Sequence, residues 1–180
     1  MNTIGVFCSA SSHIAPVYVA EAEKLGTWIG KQGKTLVYGG SNSGLMECVA
    51  KAVKTNGGRV FGVIPTIVES QGKTSDYVDI DFRCNNLSDR KDTMLQESEV
   101  MVALPGGIGT LDEIFTIMAS ATIGYHHKKI ILYNVEGFWD KLIELLDELE
   151  SKNFIRGNWR NYCCVADSFA QLTAFLEQNQ

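Results

Sequence analysis

Short apolar runs recur along the chain, separated by longer segments of helical periodicity. The runs are TIGVFC (3–8), TLVYG (35–39), RVFGVI (59–64), DYVDI (76–80), VMVAL (100–104), KIILYN (129–134) and YCCVAD (162–167). Most are apolar at nearly every position, as strands buried on both faces of a parallel sheet must be. Helices are predicted over 17–32, 44–55, 88–98, 110–123, 137–150 and 168–177. Alternation of strand and helix predicts an α/β fold, a Rossmann-like, doubly wound parallel sheet with helices on both faces. A chain of 180 residues suffices for one such domain, 1–180, with its own core.

In open sheets of this kind ligands collect beyond the carboxyl ends of the strands, where strand order reverses. Three strand ends have unusual sequences: Cys8-Ser9-Ala10-Ser11-Ser12, then YGGSNSGLM (38–46), then LPGGIGTLDEIF (104–115). The stretch 66–87 carries at most one short polar strand and is the expected mobile or substrate-facing segment.

The third strand end holds the densest chemistry. A turn from strand to helix leaves the first helical amides without internal partners and pointing one way, with the positive end of the macrodipole behind them. An anion such as phosphate is the natural guest. Gly106, Gly107 and Gly109 remove side chains that would block approach and permit positive φ, and Thr110 adds a hydroxyl. A capping box from Thr110 to Glu113 would explain those two residues, but a cap needs none of the glycines. Along 110–123 the apolar stripe is Leu111, Ile114, Phe115, Met118 and Thr122, which leaves Glu113 off it. The helix dipole there favours an ionised carboxyl.

Composition narrows the picture. With 16 Lys and Arg against 21 Asp and Glu, the formal charge is −5 and the basic residues are scattered, which argues against a nucleic-acid partner. Five cysteines without a CxxC or zinc spacing predict reduced thiols in the cytoplasm. No apolar run approaches the roughly 18 residues of a membrane span, and MNTIGVFCSA is unlike a secretion signal. His13, His126 and His127 lack partners at metal-ligand spacing, so no metal is expected. Cys8 has no identified base and reads as a packed thiol. Gly39 to Gly44 has P-loop spacing, yet Leu45 stands where the lysine belongs, and the glycines after Gly107 fail the dinucleotide fingerprint. Ser88-Asp89-Arg90-Lys91 opens a helix with two cations that the dipole opposes, so something negative should face them.

These motifs occur together in one known pattern. PGGIGTLDE (105–113) fits PGGxGTxxE; YGGSNSGLM fits YGGGxxGLM with Ser41 in place of a glycine; Gly62-Val63-Ile64-Pro65 and Arg90-Lys91 fall in order; FCSASS (7–12) is similar to FCGSS. Glu47 stands where glycine usually follows Gly-Leu-Met, and Leu87-Ser88-Asp89 replaces the Met-His-x before Arg-Lys. The chain resembles the LOG family, the cytokinin riboside 5′-monophosphate phosphoribohydrolases, also labelled lysine decarboxylases. Pyridoxal-phosphate decarboxylation needs a Schiff-base lysine, and nothing in the sequence marks one.

The resemblance implies hydrolysis of the N-glycosidic bond of a nucleoside 5′-monophosphate to free base and ribose 5-phosphate, without a cofactor. Glu113 and Arg90 are the implied catalytic pair, the carboxylate sheltering positive charge on the sugar and the guanidinium assisting the departing base. The phosphate would sit on Gly106, Gly107, Ile108, Gly109 and Thr110, near Ser9, Gly40 and Ser41. Lys91 would neutralise the cluster of phosphate and Glu113. A homodimer is implied, with Ile117 and Ser120 on the candidate face. A non-catalytic carrier of nucleotides or phosphorylated metabolites is the alternative, and the identity of the base stays open.

Overall fold

The computed structural model describes residues 1–178, apart from the side chain of Val68. Its elements are β1 (Thr3–Phe7), α1 (Pro16–Lys31), β2 (Thr35–Tyr38), α2 (Gly44–Thr55), β3 (Arg59–Pro65), α3 (Thr66–Ser70), β4 (Ile80–Cys84), α4 (Leu87–Glu97), β5 (Val100–Ala103), α5 (Ile108–Thr122), β6 (Ile130–Tyr133), α6 (Asp140–Ser151), β7 (Cys163–Ala166) and α7 (Phe169–Glu177). The strands form one sheet in the order β4-β3-β2-β1-β5-β6-β7, all pairs parallel. This is the doubly wound architecture that the apolar pattern predicts. Strand order reverses between β1 and β5, so the crevice of the fold lies beyond Phe7 and Ala103.

Side chains alternate across each strand and feed two cores. Ile4, Val6, Leu36 and Tyr38 meet Leu25 and Ile29 of α1, Val49 and Val53 of α2 and Leu172 of α7. On the opposite face Phe7, Val37 and Met101 meet Met94 of α4, Ile114 and Ile117 of α5 and Leu142 of α6. Neither α1 nor α5 has a side-chain N-cap. A missing cap costs about 1 kcal/mol, whereas each buried Leu or Ile contributes roughly 1.5–3 kcal/mol, so packing holds both helices without one.

The fold departs from the sequence reading in three places. DYVDI is not the fourth strand; β4 begins at Ile80. Asp79 accepts a hydrogen bond from the Val60 amide at 2.9 Å and pairs with Lys54, which ends the turn and starts the strand there. The strand is an edge whose Asp81 and Arg83 are exposed, so it lacks an apolar run to read. The stretch 66–87 also carries α3 and is tied down: Asn42 donates its amide to the Lys73 carbonyl, Ser75 to that of Gly40, and Ser41 bridges Thr74. Finally, α5 buries Thr110, Glu113, Ile114, Ile117 and Met118, while Phe115 and Thr122 face outward. Glu113 therefore lies on the buried stripe, and Ile117, 1% exposed, is core and not an interface residue.

Helices α1 and α2 approach closely because Gly26 and Gly30 present no side chain. A Cβ on Gly26 would stand 2.6 Å from the Val49 carbonyl oxygen and 2.7 Å from the Ala52 Cβ. Helix propensity alone makes Gly26→Ala stabilising by about 1 kcal/mol, but a clash with backbone can be relieved only by moving a helix, at about 1–3 kcal/mol. Gly26→Ala is expected to lower the midpoint of chemical denaturation, and an unchanged or raised midpoint would contradict this packing.

Candidate active site

Main-chain hydrogen bonds draw the three unusual strand ends together. Leu104 donates its amide to the Phe7 carbonyl at 2.9 Å, Ser9 to Pro105 at 3.2 Å and Leu45 to Ser9 at 2.9 Å. Gly44 has φ +59, and a Cβ there would run into the carbonyl oxygens of Ser9 and Ser11, so only glycine lets the second turn lie against the first. Between them opens a cleft of about 280 Å³ lined by Cys8, Ser9, Ala10, Met46, Arg90, Gly107, Gly109, Thr110 and Glu113. Gly106 lines an adjoining hollow with Ser9, Tyr18 and Phe138.

The first amide of α5 satisfied within the helix is that of Leu111, which donates to the Gly107 carbonyl at 3.0 Å. The amides of Ile108, Gly109 and Thr110 thus have no helical acceptor. Helix α5 begins at Ile108 with Gly107 as its N-cap, so Thr110 is already inside it and the capping box is not formed. None of Gly106, Gly107 and Gly109 has positive φ, which removes backbone conformation as the reason for glycine. Beneath Thr110, a Cβ on Gly106 would collide with that residue's hydroxyl, whereas Cβ atoms on Gly107 and Gly109 would meet nothing within 4 Å. Neither strain nor packing calls for glycine at 107 and 109. What their absent side chains provide is open access to the amides.

Below this surface Arg90 Nη2 lies 3.1 Å from Glu113 Oε1, with the two side chains 14% and 6% exposed. Asn86 caps α4 by accepting from the Ser88 and Asp89 amides, which places Arg90 at the end of its first turn and Lys91 just beyond it. Glu113 and Asp112 of α5 pair with these two cations, while Asp89 supplies an acid within the first turn of α4 itself. Gly39, which closes β2, makes room for the guanidinium: a Cβ would occupy the position of Arg90 Nη2. Burial raises the Glu113 carboxyl to about 7 despite the attraction of Arg90; Asp112 raises it further and Lys91 lowers it. Burial therefore overrides the helix dipole that was expected to keep the carboxyl ionised. Cys8 beside it is 2% exposed, and burial pushes its thiol well above the ordinary range, so it packs as an uncharged group.

A family model described as possible lysine decarboxylase matches residues 46–176. A probable cytokinin riboside 5′-monophosphate phosphoribohydrolase of Oryza sativa subsp. japonica is 37% identical over 173 residues, 96% of this chain and 76% of the relative. The chain belongs to the LOG family. An Arabidopsis thaliana cytokinin riboside 5′-monophosphate phosphoribohydrolase is 34% identical over 97% of this chain and 82% of its own length. Among solved structures, the molybdenum cofactor carrier protein of Chlamydomonas reinhardtii superposes with a TM-score of 0.74 at 26% identity, covering 98% of this chain and 95% of that one. The molybdenum cofactor binding protein of Rippkaea orientalis gives 0.73 at 25%, covering 97% and 94%.

Of the residues that the LOG motifs single out, the fold gathers Glu113, Arg90, Gly107, Gly109, Thr110 and Ser9 at one cleft. Ile108 is 88% exposed and does not line the cleft. Gly40 has φ +73 against Ile64, and Ser41 is held by Thr74; neither lines the cleft. Lys91 Nζ bonds both Asp112 oxygens at 2.8 Å and is also outside it. Sequence reasoning missed Gly39, Ala10 and Met46. The signals were there in the quoted motifs: Gly39 in the YGG pair, Met46 at the end of Gly-Leu-Met and Ala10 inside FCSASS.

Because Glu113 titrates above its ordinary 4.5 in the fold, its protonated form stabilises the fold. That contribution is complete below about 4.5 and is lost as pH rises through about 7. Between pH 4 and pH 8 the unfolding free energy of Glu113→Gln should gain on the parent by on the order of 2 kcal/mol, measured by urea denaturation at each pH. A parallel pair of pH curves would refute the buried carboxyl. Gly39→Ala should leave stability nearly unchanged, since the obstructed atom ends a flexible side chain, yet displace the guanidinium from Glu113 in a crystal structure of the variant.

Proposed function

We propose that this LOG protein hydrolyses the N-glycosidic bond of a nucleoside 5′-monophosphate, releasing the free base and ribose 5-phosphate. The observation that carries the reading is the buried Arg90–Glu113 pair one helical turn from the open amides of α5. The named activity of the relatives in Oryza sativa and Arabidopsis thaliana supports it.

In this reading the phosphate lies on the amides of Ile108, Gly109 and Thr110, with the Ser9 hydroxyl alongside, where bare main-chain donors and the dipole favour a dianion. Glu113 is three residues past Thr110, about 5 Å along the axis, which puts its carboxylate near the sugar. As the bond from C1′ to the base breaks, its electron pair leaves with the base nitrogen and positive charge grows on the sugar. The carboxylate stabilises that charge and accepts a proton from the water whose oxygen bonds to C1′. Arg90 remains protonated throughout and assists the base by charge and hydrogen bonding, while the proton that completes the free base comes from the transferred water proton or from solvent. Glu113 acts ionised, so base release rises with pH through the range near 7 where the carboxyl titrates.

The reading includes a cytoplasmic homodimer. Since Ile117 is buried, an apolar surface that could serve self-association is the groove of about 570 Å³ bordered by Phe115, Ile123 and Phe154. Among the described residues no helix is long and apolar enough to cross a membrane.

A second reading, a carrier that binds and does not cleave, draws on the solved neighbours titled as molybdenum cofactor carriers. Incubation with AMP separates the two. Adenine and ribose 5-phosphate should appear, with adenosine a far poorer substrate, and folded Glu113→Ala and Arg90→Ala variants should lose about 10²–10⁴-fold in kcat/KM. Tight AMP binding with no adenine over long incubation would favour the carrier.

A further inference from the structure

Lys91 does not reach the cleft that the glycine turn opens. Its side chain is 13% exposed, and the ammonium group instead spends two of its three donors on the two oxygens of Asp112, each at 2.8 Å. Consecutive cations of α4 therefore meet consecutive acids of α5, Arg90 with Glu113 and Lys91 with Asp112, forming a double clamp between two helix starts.

The two halves of the clamp have different duties. Arg90 is weakly tethered by its own contacts: one nitrogen reaches Glu113, its Nε is buried without an acceptor, and Gly39 offers room but no bond. In the proposed reaction Glu113 serves the sugar, so the attachment of Arg90 slackens when its position matters most. The neighbouring pair is free of that conflict. Asp112 is about half exposed and lies outside the cleft, and an exposed ion pair alone has little worth. Its partner is mostly buried, however, and both oxygens are engaged, which fixes the first turn of α4 against α5.

We propose that Asp112 is a positioning residue, holding Lys91 and through it the start of α4 so that Arg90 stays beside Glu113 through the reaction. This rests on the phosphoribohydrolase reading. The charged and titratable groups that face Glu113 are Arg90 and Lys91 from α4, Asp112 on its own helix and the uncharged Cys8 thiol from the end of β1.

The test compares Asp112→Asn and Asp112→Glu with the parent in three measurements: kcat and KM for AMP, thermal stability, and the titration midpoint of the Glu113 carboxyl by NMR in the absence of nucleotide. With Asp112→Asn, kcat should fall at least about tenfold at little-changed KM, the cost of a slightly misplaced catalytic group. The Glu113 midpoint should rise, because the attraction of Arg90, which outweighs the repulsion of Asp112, weakens once the guanidinium is no longer held beside it. Asp112→Glu, whose longer carboxylate still reaches Lys91, should restore both. A parent-like kcat in Asp112→Asn, or a midpoint that stays or falls, overturns the proposal, even if thermal stability falls, and so does a rise in KM alone. Should the parent release no adenine, the phosphoribohydrolase reading fails, and the midpoint then decides whether the clamp exists: unchanged or lowered in Asp112→Asn, it does not.

Discussion

A carboxyl and a guanidinium held together out of water form the constraint around which this molecule is organised. Removing either charge from solvent costs several kcal/mol, and mutual attraction repays that only in good geometry. Here the repayment is incomplete, since burial leaves Glu113 near neutrality at about 7 despite the adjacent Arg90. An arrangement of that kind contributes little to stability and persists because the surrounding elements determine it. Asn86 starts α4 at the right residue, Gly39 leaves space for the guanidinium, and the buried stripe of α5 turns Glu113 inward.

The same logic governs the start of α5. Its first amides have no side-chain cap, and the glycines beside them leave the approach open. A stability-optimised helix would carry a Ser or Asp there, so the site forgoes about 1 kcal/mol of local stability that the two cores easily supply. Local rules broken where the core is strong are characteristic of functional sites. The turns around the crevice remain firm nonetheless, because main-chain bonds between Ser9, Leu45, Leu104 and Pro105 tie one strand end to the next. Rigid walls around bare donors suit recognition of a fixed anion by preorganised dipoles.

Much of this was legible in the chain. Six of the seven apolar runs became strands, since parallel strands buried on both faces must be apolar at consecutive positions and little else in a soluble chain has that pattern. The edge strand β4 escaped because one of its faces meets solvent, which admits Asp81 and Arg83 and erases the run. Arg90, Glu113 and the glycine turn were recognisable by their spacing and by their likeness to LOG motifs. Two cations at a helix start already required anions opposite them, but no local rule named Glu113 and Asp112 as those anions.

The order of apolar and polar residues by itself determined the doubly wound sheet, the glycine turn after β5 and the helix that follows it, because each depends on neighbours a few positions apart. Only the tertiary structure decided which face of α5 is buried, that Gly39 serves Arg90, that Lys91 answers Asp112 and not the cleft, and that Glu113 is held near neutrality. Those outcomes depend on groups brought together from distant positions, and desolvation and charge pairing act through space rather than along the chain.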